Sequence, residues 1–476
     1  MPTTLIVISD LHLGGGDLLD DCDGELEAHI VSFIEEISER YNPVELIING
    51  DFLDFAQAPP WKGKRLESAG RGIPLCFTQE QSAEKLENVF KAHEPVFKAL
   101  GRLLAANDEN RLVIIPGNHD ADFFWPRVRE LFVAKVCSGD VGRGGRLDFH
   151  LEQVYRPAAF PAAWIEHGHQ HDPINSFRVG DEACWSAAAP PIFEDDGGEQ
   201  RLFECIGTRF LIKFMNHLDA RYPFIDNIKP FSRFLNIFGV SVFTWKFGPL
   251  KAAVATWAMM RYLLVSLRKH RDDLLSVEAS EADFAPASSP ELLSKLVSGM
   301  DESQREDFRR ELDGRGFSVE GSLAIYVSDE GQADALLVFL AENLDLLDRF
   351  EEVDDDSYLS FDEEGGQYLA LYDAYEFDET QALMEVAHKI LKKDDGVGVV
   401  VMGHTHERVD PTHEFPYVNP GSWTRYYIFG DDERVNAGRL LKTRAYEVFP
   451  YQLNYVEIVP GRTDPSRLIT YRKRTS

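Results

Sequence analysis

Five short polar segments each follow an apolar run in this chain. They are "SDLHL" with Asp10 and His12, "GDFLD" with Asp51 and Asp54, "GNHD" with Asn118, His119 and Asp120, "HGHQHD" with His167, His169 and His171, and "GHTH" with His404 and His406. Carboxylate oxygens, imidazole nitrogens and an amide carbonyl form a donor set that suits borderline divalent ions such as Mn, Fe, Zn or Ni. In both D-x-H and H-x-H the donors stand at i and i+2. Residues two apart at the end of an extended segment point the same way, so each pair can address one point. The donors suffice for two ions, and Asp51 on a central loop can bridge them. Taken singly, each motif has a plainer cause: a lone histidine often only donates to a carbonyl, and "GD" or "GNHD" are turn formers. Five such loops, each after a strand-like run, are poorly explained by five separate plain causes.

The elements that must position these loops are legible from periodicity. "TTLIVIS", "PVELIIN", "RLVIIPGN" and "AAWIEHG" read as strands, while "GELEAHIVSFIEEISERY" carries Ile30, Phe33, Ile34 and Ile37 at helical spacing. A helical stretch over residues 80–106 is expected to bend at Pro95. Near the C-terminus "ETQALMEVAHKILKK" reads as a helix, and the β-branched run in "VGVVVMGHTH" as a strand covered on both faces. Alternation of this kind signals an α/β layer architecture, in which ligands bind beyond the strand ends. The texture changes between residues 176 and 379. Residues 231–270 are rich in Phe, Leu, Trp and Met, and residues 271–379 are strongly acidic. The expected organisation is a discontinuous core, 1–175 plus 380–476, interrupted by a largely helical insertion over 176–379.

The order D-x-H, G-D-x-x-D, G-N-H-D, H-G-H and G-H-x-H resembles the calcineurin-like metallophosphoesterase superfamily, and "YVNPGSW" resembles the turn that follows the last histidine pair in bacterial members. The resemblance implies a four-layer α-β-β-α sandwich with two divalent metal ions, manganese foremost, at the edge of the paired sheets. By position, it implies one ion on Asp10, His12 and His406, a second on Asn118, His167 and His404, and Asp51 between them. His119 would stand off the metals as general acid or transition-state donor, oriented by Asp120, and Asp54 would orient a ligand or its loop. In the family pattern the first histidine of H-G-H is the ligand, which leaves His169 to line the pocket and His171 to a supporting place. The implied reaction is hydrolysis of a phosphoester or pyrophosphate by hydroxide held between the ions, with no phosphoenzyme. Arg408 would either meet a substrate phosphate or form an exposed salt bridge.

"SDLHL" and a helical insertion before the last histidine pair also resemble the UDP-diacylglucosamine pyrophosphohydrolase branch. The chain departs from that branch in length, in its acidic segment and in reading "HGH" for His-Gly-Asp. Residues 231–271 are interrupted by Lys246, Lys251 and Arg261. They fit a buried hairpin, a cap over the metals or a helix dipping into a membrane interface. The substrate expected is a small phosphorylated molecule, with an apolar part if that segment is a cap.

A formal net charge of −31 over 476 residues repels phosphate backbones, which disfavours nucleic acid as a partner. A DNA-repair-type nuclease shares the metal motifs and is the alternative reading. A non-catalytic scaffold on the same fold is another, though such scaffolds lose ligands that are all present here. Five scattered cysteines without a C-x-x-C pair, and an N-terminus that enters a strand directly, predict a cytoplasmic protein without a secretory signal.

Overall fold

In the computed structural model, described residues are 3–58 apart from 17 and 18, 76–212 apart from 173, 174, 180, 181 and 196, 302–317, 330–342, 379–428 and 449–472 apart from 463–465, with scattered positions between 216 and 346. Strands β1 (Thr4–Ile8), β2 (Val44–Asn49), β3 (Arg111–Ile115) and β4 (Leu147–Phe149) lie side by side and parallel. A second sheet holds β5 (Ala163–Ile165), β6 (Val399–Val401) and β7 (Tyr417–Val418), parallel and in the order β7-β6-β5. The chain then returns to the first sheet through β8 (Asn454–Ile458), antiparallel to β1, and β9 (Ser466–Thr470), antiparallel to β8.

The layers follow from strand parity. Successive side chains point to opposite faces, so a strand buried on both must be apolar throughout. In β1, Ile6 and Ile8 face a helical layer, whereas Leu5 and Val7 face the second sheet. Leu112 and Ile114 against Val113 and Ile115 repeat the division in β3. In β6, Val399 and Val401 join the inter-sheet core, and Val400 turns outward to Leu383 and Ala387 on helix α5. The result is helices, six-stranded sheet, three-stranded sheet and helix: the four-layer α-β-β-α arrangement.

The helical layer comprises α1 (Gly24–Arg40), α2 (Gln79–Ala92), α3 (Glu94–Ala106) and α4 (Pro126–Cys137), and α5 (Glu379–Lys393) covers the other side. Asp23 caps α1 by accepting from the amides of Glu25 and Leu26, and Leu26, Ile30, Phe33, Ile34 and Ile37 form its buried face. The stretch 80–106 is two helices rather than one bent helix. Pro95 stands in the first turn of α3, where its missing N–H costs nothing, and the chain breaks at His93.

The chain divides into two compact units, residues 1–229 with 378–428 and 438–476, and residues 230–377 with 429–437. Within the second unit, helix Glu302–Gly314 buries Phe308 and Leu312, and helix Glu330–Glu342 buries Ala333, Leu336, Leu337 and Leu340. The apolar stretch 231–270 and the acidic runs 351–365 lie outside the described residues. No helix among the described residues is long and apolar enough to cross a membrane.

Candidate metal centre

All five polar loops leave the C-terminal ends of parallel strands: β1, β2 and β3 of the larger sheet, β5 and β6 of the smaller. Asp10, His12, Asp51, His404 and His406 have φ of 55°, 46°, 46°, 70° and 60°. They are five of the seven non-glycine residues in the left-handed region among those described. Each such conformation costs about 1–3 kcal/mol and persists only where its surroundings impose it. Here the surroundings are backbone bonds between loops. Asp10 N–H donates to Gly50 O at 3.1 Å, and His12 N–H to Asp51 O at 3.0 Å. The "NPGSW" turn adds Trp423 N–H and Ser422 Oγ on Asp10 O, at 3.1 and 2.9 Å, and Asn419 Nδ2 on Gly403 O at 2.8 Å. The motif glycines serve close approach: a Cβ at Gly50 would overlap the His167 ring, and one at Gly403 would overlap Ser9 and Asp10.

Of three trios of ligand atoms, each within 4.8 Å of one another, two hold the expected metal ligands, namely Asp10, His12 and His406, and Asp51, His167 and His404; the third is His12, Asp54 and His119. Asp51 Oδ2 lies 3.1 Å from His167 Nε2 and 4.0 Å from His12 Nε2, so one carboxylate oxygen stands between the two sets. His12 Nδ1 lies 3.2 Å from Asp54 Oδ2 and His167 Nδ1 2.9 Å from Asn49 O, which places the ring proton on Nδ1 in both. Their Nε2 atoms face the rest of the cluster: His406 Nε2 lies 3.0 Å from that of His12, and Asp51 Oδ2 3.1 Å from that of His167. Asn118 Oδ1 is buried with no hydrogen-bond partner among the described residues. Buried carboxylates this close together require positive charge beside them, from ring protons or from bound cations. Burial by itself would raise the Asp51 carboxyl, but His167 and His119 outweigh it and hold it well below the usual range. Bare imidazole nitrogens, carboxylates and an amide oxygen around two points fit a pair of divalent cations.

Groups outside the two ligand trios orient them. His404 Nε2 lies 3.0 Å from Asp172 Oδ2, and its backbone N–H donates to both oxygens of Asp10 at 3.2 Å. Asp172 ends the "HGHQHD" loop. The sequence reading passed over this carboxylate, although a carboxylate behind a ligating imidazole is a common way of fixing the ring. Asp54 serves two rings at once, since its Oδ2 also lies 2.9 Å from His119 Nδ1.

That contact corrects the expectation for Asp120. The hydrogen bond that orients the His119 ring comes from Asp54, and Asp120 adds only the weaker pull of its charge. Its carboxylate accepts from the amides of Gly117, Phe52 at 2.9 Å and Leu53 at 3.4 Å, and so ties the GDFLD loop to GNHD. Burial and the Asp51 charge push its carboxyl up to about 8. For His119, burial opposes protonation, but Asp54 and Asp51 outweigh it and lift the ring to about 10.

The remaining candidates fall outside the trios. His169 is buried against Trp185 and Phe177, with ring centroids 4.4 and 5.9 Å away, and its nitrogens have no hydrogen-bond partner among the described residues. Burial, with the imidazoles of His167 and His404, holds it well below the usual histidine range. His171 pairs with Glu166 Oε1 at 2.9 Å. Arg408 forms the salt bridge, binding Asp410 at 2.6 Å and also donating to Thr470 at 2.9 Å.

A family model for calcineurin-like phosphoesterases matches residues 3–203, which hold four of the five loops. No curated protein and no solved structure matches the chain. Residues 3–203 are thus similar to the calcineurin-like phosphoesterase family, and the segments carrying His404 and His406 lie beyond the match.

Proposed function

We propose that the protein is a phosphohydrolase that uses two divalent cations, manganese foremost, to cleave a phosphoester or pyrophosphate bond in a small phosphorylated substrate. The observation that carries this reading is the pair of buried trios on either side of Asp51, with His119 beside them. Asp10, His12 and His406 would hold one ion, Asn118, His167 and His404 the other, and Asp51 both. Two such ions, when bound, supply Lewis acidity to phosphoryl oxygens and acidify water toward a pKa of about 7. The protein's own groups do the rest. The Asp54 carboxylate and the backbone fix His12 and His167 as Nδ1–H tautomers, so that Nε2 is offered to the centre. His119 N–H donates to Asp51 Oδ1 at 2.9 Å, which sets the ring beside the centre, and its Asp54-paired imidazolium gives a proton to the departing oxygen. Cys22, Cys76, Cys137, Cys184 and Cys205 are free, which supports a reducing compartment such as the cytoplasm.

The test is metal analysis of the purified protein coupled to a panel of phosphomonoesters, phosphodiesters and nucleoside diphosphates with Mn²⁺. Two metal equivalents and turnover of at least one class are expected. A protein that takes up no metal and turns over none of them would overturn the reading. DNA hydrolysis in place of small-substrate turnover would move it to the nuclease alternative, which the net charge of −31 disfavours.

A further inference from the structure

Asn118 follows β3 of the larger sheet and His404 follows β6 of the smaller, yet a short polar chain joins the two side chains. Asp172 Oδ2 faces His404 Nε2 at 3.0 Å and also accepts from Asn175 Nδ2 at 2.6 Å. Asn175 Oδ1 in turn faces Asn118 Nδ2 at 3.5 Å, a long contact, and Cys205 Sγ at 3.8 Å. The backbone holds Asn175 in this place, because its N–H and that of Ser176 both donate to Asp172 O, at 3.1 and 2.8 Å. Asn118, Asp172 and His404 are all buried.

A side-chain amide has a donor end and an acceptor end of nearly the same shape, so its neighbours decide which end goes where. A carboxylate only accepts. Asp172 therefore draws the Asn175 NH₂ toward Oδ2 and leaves Asn175 Oδ1 facing Asn118. That oxygen draws the Asn118 NH₂, and Asn118 Oδ1, which is buried with no hydrogen-bond partner among the described residues, is left for a cation. Turned the other way, Asn118 would set its carbonyl against that of Asn175 and aim NH₂ at the cation. The same Asp172 oxygen takes the His404 Nε2 proton, which leaves the ring's lone pair on Nδ1.

We propose that Asn175 is a positioning residue for the second cation, relaying the polarity of Asp172 to the Asn118 amide, so that one carboxylate orients two ligands. The inference rests on the ligand set of the hydrolase reading, but not on any activity. Thr208 supplies a contrast, because its Oγ1 donates to the backbone carbonyl of Asn118 at 3.3 Å. It packs in the same neighbourhood and has no say in which end of the side-chain amide meets the cation.

The experiment titrates the full-length, chelator-stripped protein with Mn²⁺, read by calorimetry and by electron paramagnetic resonance, which distinguishes a lone Mn²⁺ from a coupled pair. The wild type should take two equivalents and end with the coupled-pair spectrum. In Asn175→Leu the first equivalent should bind as in the wild type and the second about 10–100-fold more weakly, with the coupled spectrum delayed to match. Asn175→Ala gives the same comparison should leucine not be accommodated. Asn118→Asp removes the need for orientation, since both ends of a carboxylate accept. In that background Asn175→Leu should therefore weaken the second equivalent by less than about threefold. Thr208→Val should likewise change it by less than about threefold. A second equivalent unchanged by loss of the Asn175 amide would overturn the inference. So would equal loss of both equivalents, the same loss in the Asn118→Asp background, or the same loss in Thr208→Val. A wild type that takes up fewer than two equivalents would remove the ligand set and the inference with it. Two equivalents and the expected variant pattern without turnover of any phosphoester would refute the hydrolase and leave the positioning role standing.

Discussion

Replacing Asp54 with Asn perturbs proton delivery and metal binding together, and two esters read at saturating metal tell them apart. Asp54 is 1% exposed. Its Oδ2 is shared by His12 Nδ1 at 3.2 Å and His119 Nδ1 at 2.9 Å, while Oδ1 accepts from Gln57 N–H at 3.0 Å. Asparagine keeps the volume and one acceptor but removes the charge. A hydrogen bond to a charged group contributes about 1.5–3 kcal/mol and a neutral one about 0.5–1.5, so His119 loses roughly 1–1.5 kcal/mol, or about one pKa unit. If the amide nitrogen turns toward the two rings, both lose their acceptor and the loss is larger. At saturating Mn²⁺, kcat on an alkyl phosphate should therefore fall about tenfold. On p-nitrophenyl phosphate, whose leaving oxygen needs no proton, the fall should be about twofold or less. Manganese affinity, read by titration calorimetry, should drop about 10–100-fold because His12 loses its partner. Asp120→Asn is the matched comparison. It weakens the amide cradle of two loops and lowers stability, but leaves the ratio between the two esters unchanged. Equal falls on both esters in Asp54→Asn, or a shifted ratio in Asp120→Asn instead, would refute the pairing argument.

Other consequences are as direct. His404→Ala should retain one metal equivalent by elemental analysis, and Asp51→Ala neither; two equivalents in either variant would contradict the ligand sets. Gly403→Ala forces a Cβ against Ser9 and Asp10, and should cost about 1–3 kcal/mol in urea denaturation and weaken metal uptake; wild-type stability would mean the loops yield freely. His93 binds Asp20 at 2.8 Å and Glu27 at 3.1 Å. Burial opposes its protonation, but the two carboxylates raise it above 6.5. Its contribution is fully present below about pH 6.5 and is lost as pH climbs through the raised value, so His93→Gln should flatten the fall in urea midpoint between pH 6 and 9.

What the sequence could reveal depended on whether a signal was local. Strands buried on both faces announce themselves as unbroken β-branched runs. Val399 to Val401 and Leu5 to Ile8 were legible as strands, as was Ile30–Phe33–Ile34–Ile37 as a helix face. The clustering of the five loops was legible because each is a short motif at a strand end. Partners across the chain were not. Asp120 neighbours His119 in sequence, but a residue with φ −121° and ψ 32° at the start of a short helical turn directs its carboxylate to the amide of Gly117 and those of the facing loop. Asp54, 65 positions away, is brought to the ring by the parallel pairing of β2 with β3. Asp172 escaped notice for the same reason, because its partner His404 lies 232 positions further on and meets it only through the pairing of β5 with β6.

The same geometry explains how a chain of net charge −31 can host phosphate chemistry. Asp10, Asp51, Asp54 and Asp172 are each at most 4% exposed and each faces an imidazole, so their charge is spent holding ligands rather than projected into solvent. The surface carboxylates act over about one Debye length, roughly 8 Å at physiological salt. They therefore discourage a polyanion that must lie along the surface far more than a single phosphate entering between His119 and the trios. Acidity outside and a cation-organising cluster inside are compatible, and under the proposed function they would favour small phosphoesters over nucleic acid.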